Sequence, residues 1–198
     1  MQLLTAMFVI NLRKQGNNLE VAYQDIHRDI IELSKAGNQK AQYQLYRLYA
    51  KAMFNICCRI LNNYTEAEDL LQESFAEAFL KLDTFRYESA FGAWLKRIVV
   101  NKCINHLKKR RAQLVFTDTV PEADEYRDDD TEDVALNVGK IYTAMEMLPD
   151  GYRVIFSLYL LEGYDHGEIA TIMGITESTS KSQFSRAKQK VKEILKTL

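Results

Sequence analysis

Glycine and proline are scarce in this chain, at 8 and 2 residues among 198. A turn-rich β fold needs many more breakers, so the sequence reads as long, uninterrupted helices. Cysteine is limited to Cys57, Cys58 and Cys103. That spacing contains no C-x-x-C pair, which excludes a zinc knuckle and offers no disulfide framework. Reduced, partly buried thiols in a cytoplasmic protein are expected instead. Long apolar runs are missing too. Leu3–Leu12 is too short to span a bilayer, and Arg13 and Lys14 follow it rather than precede it, so it is not read as a signal peptide. Residues 1–21 are expected to form a poorly ordered extension, with a start nearer Met7 or an amphipathic lid over a neighbouring groove as alternatives. Catalytic constellations are also lacking. His27, His106 and His166 are scattered, Glu68 and Asp69 are adjacent and would point apart on a helix, and no P-loop, H-E-x-x-H or Ser/His/Asp pattern occurs. No enzyme activity, no metal site and no cofactor are expected.

The chain also lacks a net charge of consequence: 26 Lys and Arg stand against 27 Asp and Glu. The sum hides strong segregation. Cations crowd into Lys96–Arg111 and Lys181–Lys196, whereas carboxylates crowd into Asp118–Asp133. A polyanion responds to the local field, so two basic surfaces are available to it.

Apolar residues recur at helical spacing from Ala22 to about Arg111 and again from about Val134 to Leu198. Gly37-Asn38 and Asn62-Asn63 break the first block, and Thr65-Glu66-Ala67-Glu68 has the form of a capping box. Between the blocks, nine carboxylates and few apolar side chains cannot bury enough surface to offset the entropy of ordering. The expected class is therefore all-α: two small helical domains, at residues 22–111 and 134–198, joined by a flexible acidic linker at 112–133.

The clearest local motif runs from Gly163 to Thr179. Asp165 can cap a short helix with Glu168 in the reciprocal position, Gly174 can end it in the left-handed conformation, and Thr176 can cap a second helix. Ile169, Ala170, Met173, Phe184, Ala187, Val191 and Ile194 would then face inward, and His166 would be a first-turn surface residue. Polar residues near the start of the second helix can reach base edges while cations further along hold phosphates. This is the pattern of a helix-turn-helix.

In the first block, Ala67-Glu68-Asp69-Leu70-Leu71-Gln72-Glu73-Ser74-Phe75 precedes Ala90-Phe91-Gly92-Ala93-Trp94-Leu95-Lys96-Arg97-Ile98 and Asn101–Arg111. Together with the C-terminal motif, this resembles bacterial sigma factors of the extracytoplasmic-function type. The resemblance implies a region-2-like helical bundle and a region-4-like helix-turn-helix domain. It implies a function in promoter recognition, DNA melting and transcription initiation at a specific regulon. It assigns Asp69, Gln72 and Glu73 to the β′ clamp helices of core RNA polymerase. The spacing itself is equally consistent with the solvated side of an amphipathic helix. The resemblance assigns Arg86, Arg97, Asn101, Asn105, Lys108, Lys109, Arg110 and Arg111 to the minus-ten element. Phe91 and Trp94 either stack on melted bases or belong to the core. It assigns Glu177, Ser178, Thr179, Lys181, Ser182, Gln183, Arg186 and Lys188 to the minus-thirty-five element, and the same domain to the β flap. An anti-sigma partner is implied, and with it a cytoplasmic protein that can be sequestered at the inner membrane. The chain departs from the family at Ser180, where a β-branched apolar residue is usual, and at Gln183-Phe184, which replaces a basic–Leu pair; the base preference stays open there. A conventional one-component regulator would need a ligand pocket or a dimerisation surface, and neither is evident.

Overall fold

The computed structural model describes residues 27–113 and 138–198, so the expectations for the N-terminal extension and for most of the acidic linker fall outside the described residues. Among the described residues all regular secondary structure is helical. Cα packing divides the chain into two units, Met1–Cys103 and Ile104–Leu198.

The first unit opens with α1, residues 27–35, which ends where Gly37 takes φ +81°. Helix α2 follows over Gln39–Leu61. Asn38 starts it by accepting the amides of Lys40 and Ala41 at 3.0 and 3.2 Å, which satisfies two of the orphan donors of the first turn. Its buried side, Ala41, Leu45, Met53, Ile56, Cys57, Ile60 and Leu61, repeats at three and four residues. Asn62 ends the helix in the left-handed region, and Asn63 at once caps α3, Tyr64–Leu80. The capping box expected at Thr65 is thereby corrected. Asn63 Oδ1 takes the Glu66 amide at 3.2 Å, because an Asn pair supplies both the stop and the start, and Thr65 lies inside the first turn.

Ala67, Leu70, Leu71, Ser74, Phe75 and Ala78 of α3 pack along α2. The alanines at 67 and 78 are fully buried and allow a close approach. A 3₁₀ turn, Leu82–Thr84, leads to α4, Phe91–Gln113, whose residues from Ile104 onward belong to the second unit. An aromatic cluster fixes the entry to α4. Phe91 lies edge-on to Tyr49 at 5.1 Å and to Phe85 at 5.6 Å, and Trp94 leans on both Phe85 and Phe91. Phe91 is therefore a core residue, while Trp94 is only half-buried. Each fully buried side chain such as Leu45, Ile60 or Leu95 contributes about 1.5–3 kcal/mol relative to exposure.

The second unit contains α5 (Val138–Glu146), α6 (Asp150–Leu160), α7 (His166–Met173) and α8 (Glu177–Thr197). Ala144, Met145, Leu148, Phe156, Ala187, Val191 and Ile194 form its core. Arg153 is buried, and its guanidinium donates to the Leu148 carbonyl at 2.9 Å and to Asp150 at 2.6 Å, fixing the α5–α6 corner around Pro149. Asp150 also accepts from Arg110 at 2.7 Å. Burial works against its carboxylate, but the hydrogen bonds from Arg153 and Arg110 outweigh it and hold the group below its ordinary range.

Candidate polymerase and nucleic-acid interfaces

On α3 the buried stripe leaves Asp69, Gln72 and Glu73 exposed on the other side, opposite Leu71 and Phe75. The three are neighbours at helical spacing and make a polar, acidic surface. Glu73 is not isolated. Lys102 of α4 reaches it at 3.0 Å and Glu77 at 3.3 Å, and Lys81 bonds Glu77 at 2.6 Å. Burial disfavours the Lys102 ammonium, yet its bonds to Glu73 and Glu77 prevail and raise its pKa. These pairs are largely exposed, so each is worth at most about 1 kcal/mol. They orient the carboxylates more than they stabilise the fold.

Helix α4 buries Leu95, Val99, Val100, Cys103, Ile104 and Leu107. The side opposite carries Arg97, Asn101, Asn105 and Lys109, all exposed and each four residues from the next. Two amides that can read base edges thus stand between two cations that can hold phosphates. Arg86 is exposed in the segment before the helix. Lys108 and Arg110 are already engaged within the second unit. Lys108 Nζ donates to the Ile172 carbonyl at 3.3 Å, and Arg110 pairs with Asp150 at 2.7 Å. Arg111 is on the helix, but its side chain lies outside the described residues.

The helix-turn-helix forms as its local chemistry requires. Asp165 Oδ1 accepts the Glu168 amide at 2.8 Å and the Glu168 carboxylate accepts the Asp165 amide at 2.9 Å, a complete capping box. Gly174 ends α7 at φ +72°, and Thr176 caps α8 through the Thr179 amide at 3.1 Å. Along α8, Glu177, Ser178 and Lys181 are exposed, while Thr179, Ser182, Gln183, Arg186 and Lys188 are half-buried. Glu177 and Lys181 pair at 2.7 Å, and Lys188 Nζ stands 5.9 Å from the Phe184 ring centre.

One residue, His166, behaves differently from the sequence expectation, and Ser180 is its partner. Ser180 is fully buried on the inner side of α8, and its hydroxyl lies 2.9 Å from Nδ1 of His166. His166 is not a simple surface residue. Its ring stacks on Tyr159 of α6 at 4.5 Å and meets Phe184 of α8 edge-on at 5.7 Å. One imidazole therefore ties three helices together. Burial, then the nearby Lys181 ammonium, lowers its pKa, against smaller opposing pulls from Glu177 and Asp165. The only signal in the sequence was the polar residue at an inward-facing position of α8, which demands a partner.

The three cysteines are free thiols, with Cys57 and Cys103 buried. Among the described residues, no group of His, Cys, Asp and Glu is arranged to hold a metal ion, and no helix is long and apolar enough to cross a membrane.

Two family models match the chain: Sigma-70 region 2 over residues 45–113 and Sigma-70, region 4 over residues 139–191. The ECF RNA polymerase sigma-E factor of Salmonella typhimurium is 30% identical over 174 residues, which cover 82% of this chain and 90% of that relative. The RNA polymerase sigma-H factor of Pseudomonas aeruginosa is 27% identical over 186 residues, covering 88% of this chain and 96% of the relative. The sigma factor RpoE, solved in complex with the anti-sigma factor NepR from Bartonella quintana, matches with a TM-score of 0.53. It is 26% identical, covering 78% of this chain and 96% of that one.

Proposed function

Because the chain belongs to the ECF family of RNA polymerase sigma factors, we propose a division of labour among its named side chains. As a sigma factor it binds core RNA polymerase and promoter DNA and directs promoter-specific transcription initiation. In our reading, residues 22–111 form the polymerase-docking and melting domain, 112–133 the linker, and 134–198 the domain for the upstream element. Asp69, Gln72 and Glu73 dock on the β′ clamp helices. Arg86, Arg97, Asn101, Asn105 and the Lys108–Arg111 cluster take the minus-ten element. Glu177, Ser178, Thr179, Lys181, Ser182, Gln183, Arg186 and Lys188 take the minus-thirty-five element, and the same domain touches the β flap. The chain itself performs no covalent chemistry. It works in the cytoplasm, and an anti-sigma partner holds it inactive by covering the polymerase-binding surfaces.

What supports this most directly is the face of α4, where Arg97, Asn101, Asn105 and Lys109 follow one another at four-residue intervals, all exposed. A buried face opposite such a stripe leaves it free for a strand of DNA. The test is run-off transcription with core RNA polymerase over a library of genomic promoters. Selective initiation that requires the chain, and that falls at least about tenfold with Asp69→Arg plus Gln72→Ala, is expected. Retained DNA binding without any initiation or core binding would instead mark a conventional regulator.

A further inference from the structure

Two non-glycine residues among the described ones have positive φ: Asn62, whose short amide tolerates it, and Tyr87 at 62°. A bulky aromatic pays a steric penalty in this region and stays there only where its surroundings over-determine it. Those surroundings come from α1. The Tyr87 hydroxyl donates to the Glu32 carboxylate. Lys35 Nζ stands 4.7 Å from the centre of the Tyr87 ring, and the Arg28 guanidinium 4.9 Å from it. Lys35 also donates to Glu32 and to the Phe85 carbonyl, each at 3.1 Å. Arg28, Glu32 and Lys35 recur at four and three residues, so a single face of α1 makes every one of these contacts. The hydrogen bond from Tyr87, then that from Lys35, keeps the Glu32 carboxyl below its ordinary range, so it is an anion at neutral pH.

Downstream, Phe85 packs on Tyr87 at 4.7 Å, on Phe91 at 5.6 Å and on Trp94 at 5.5 Å. The grip of α1 thus reaches the first turn of α4 through one aromatic side chain. We propose that α1 is a strut for promoter melting. Glu32, aided by Arg28 and Lys35, holds Tyr87 in its left-handed conformation and so fixes the 85–90 segment that aims the start of α4 at the separating strands. Glu32 is a positioning residue and touches no DNA. The proposal rests on α4 being the helix that engages melted DNA.

The test uses the full chain with core RNA polymerase and a promoter recovered from the run-off library. Strand opening is followed by permanganate reactivity of unpaired thymines. Each variant is assayed on the duplex promoter and on the same promoter carrying mismatches that pre-melt the minus-ten region. Glu32→Ala and Tyr87→Phe are expected to slow opening of the duplex by about tenfold, the scale of one hydrogen bond to a charged group. On the pre-melted template they should stay within about twofold of the parent chain. Glu32→Gln, whose carbonyl oxygen still accepts the phenol, should recover most of the rate. An equal loss on both templates would mean damage to folding or docking and would overturn the strut, as would no loss on either. If the run-off library yields no promoter that needs the chain, the reading of α4 falls and the strut falls with it. Normal initiation without a duplex-specific defect removes the strut alone.

Discussion

Replacing Ser180 with alanine isolates one hydrogen bond inside the helix-turn-helix. The hydroxyl is fully buried and lies 2.9 Å from His166 Nδ1, and alanine fits the vacated space without a clash. The hydrogen bond contributes about 1–2 kcal/mol once the unmet ring nitrogen is counted. Alanine returns about 0.5 kcal/mol through its higher helix propensity. The net cost is therefore about 1 kcal/mol, or about fivefold in the local opening equilibrium. Amide hydrogen exchange of the full chain reads this directly, since protection reports local opening. Amides of α7 and α8 should exchange about fivefold faster, with α2 and α3 unchanged because Ser180 belongs to the other unit. Unaltered protection in α7 and α8, or a loss shared equally by α2 and α3, would refute the claim that this bond pins the corner.

The same imidazole makes stability depend on pH. Its folded pKa is lowered, so its contribution is complete above the unfolded value of about 6.5 and is lost as pH falls through the folded value. Thermal unfolding should show a lower Tm at about pH 5 than at pH 8, and His166→Gln should flatten that part of the profile. Asp165→Ala removes the side chain that accepts the Glu168 amide at 2.8 Å and should cost about 0.5–2 kcal/mol. Circular dichroism should record a lower Tm for Asp165→Ala and near-parental stability for Asp165→Asn.

What could be read in advance was local. The caps at Asp165 and Thr176 and the left-handed Gly174 each depend on residues within one turn, and all three formed. The exposure of Asp69, Gln72 and Glu73 likewise follows from the period of a single helix. The α3 cap was misplaced because two neighbouring candidates competed, and Asn63 outranks Thr65 as an acceptor at that position. What escaped was the pairing of residues far apart in the chain. Glu32 meets Tyr87 across 55 positions, Lys102 meets Glu73 across 29, and His166 meets Ser180 across 14. No helical period links such positions. Only the packing of separate helices brings them together, and the one trace in the sequence, a polar Ser180 at an inward-facing position, demands a partner without naming it.

The bond between His166 and Ser180 also constrains how this chain can diverge. Positions 166 and 180 form one unit of inheritance, because neither can change alone without leaving a half-buried imidazole or a buried hydroxyl unmet. A lineage that restores a β-branched apolar side chain at 180 gains shape-filling contact but strands the ring nitrogen. An apolar replacement at 166 strands the hydroxyl. Descendants of this chain should therefore keep both residues or lose both. The exposed residues of α8, by contrast, can drift one at a time, because a surface pair such as Glu177–Lys181 is worth little.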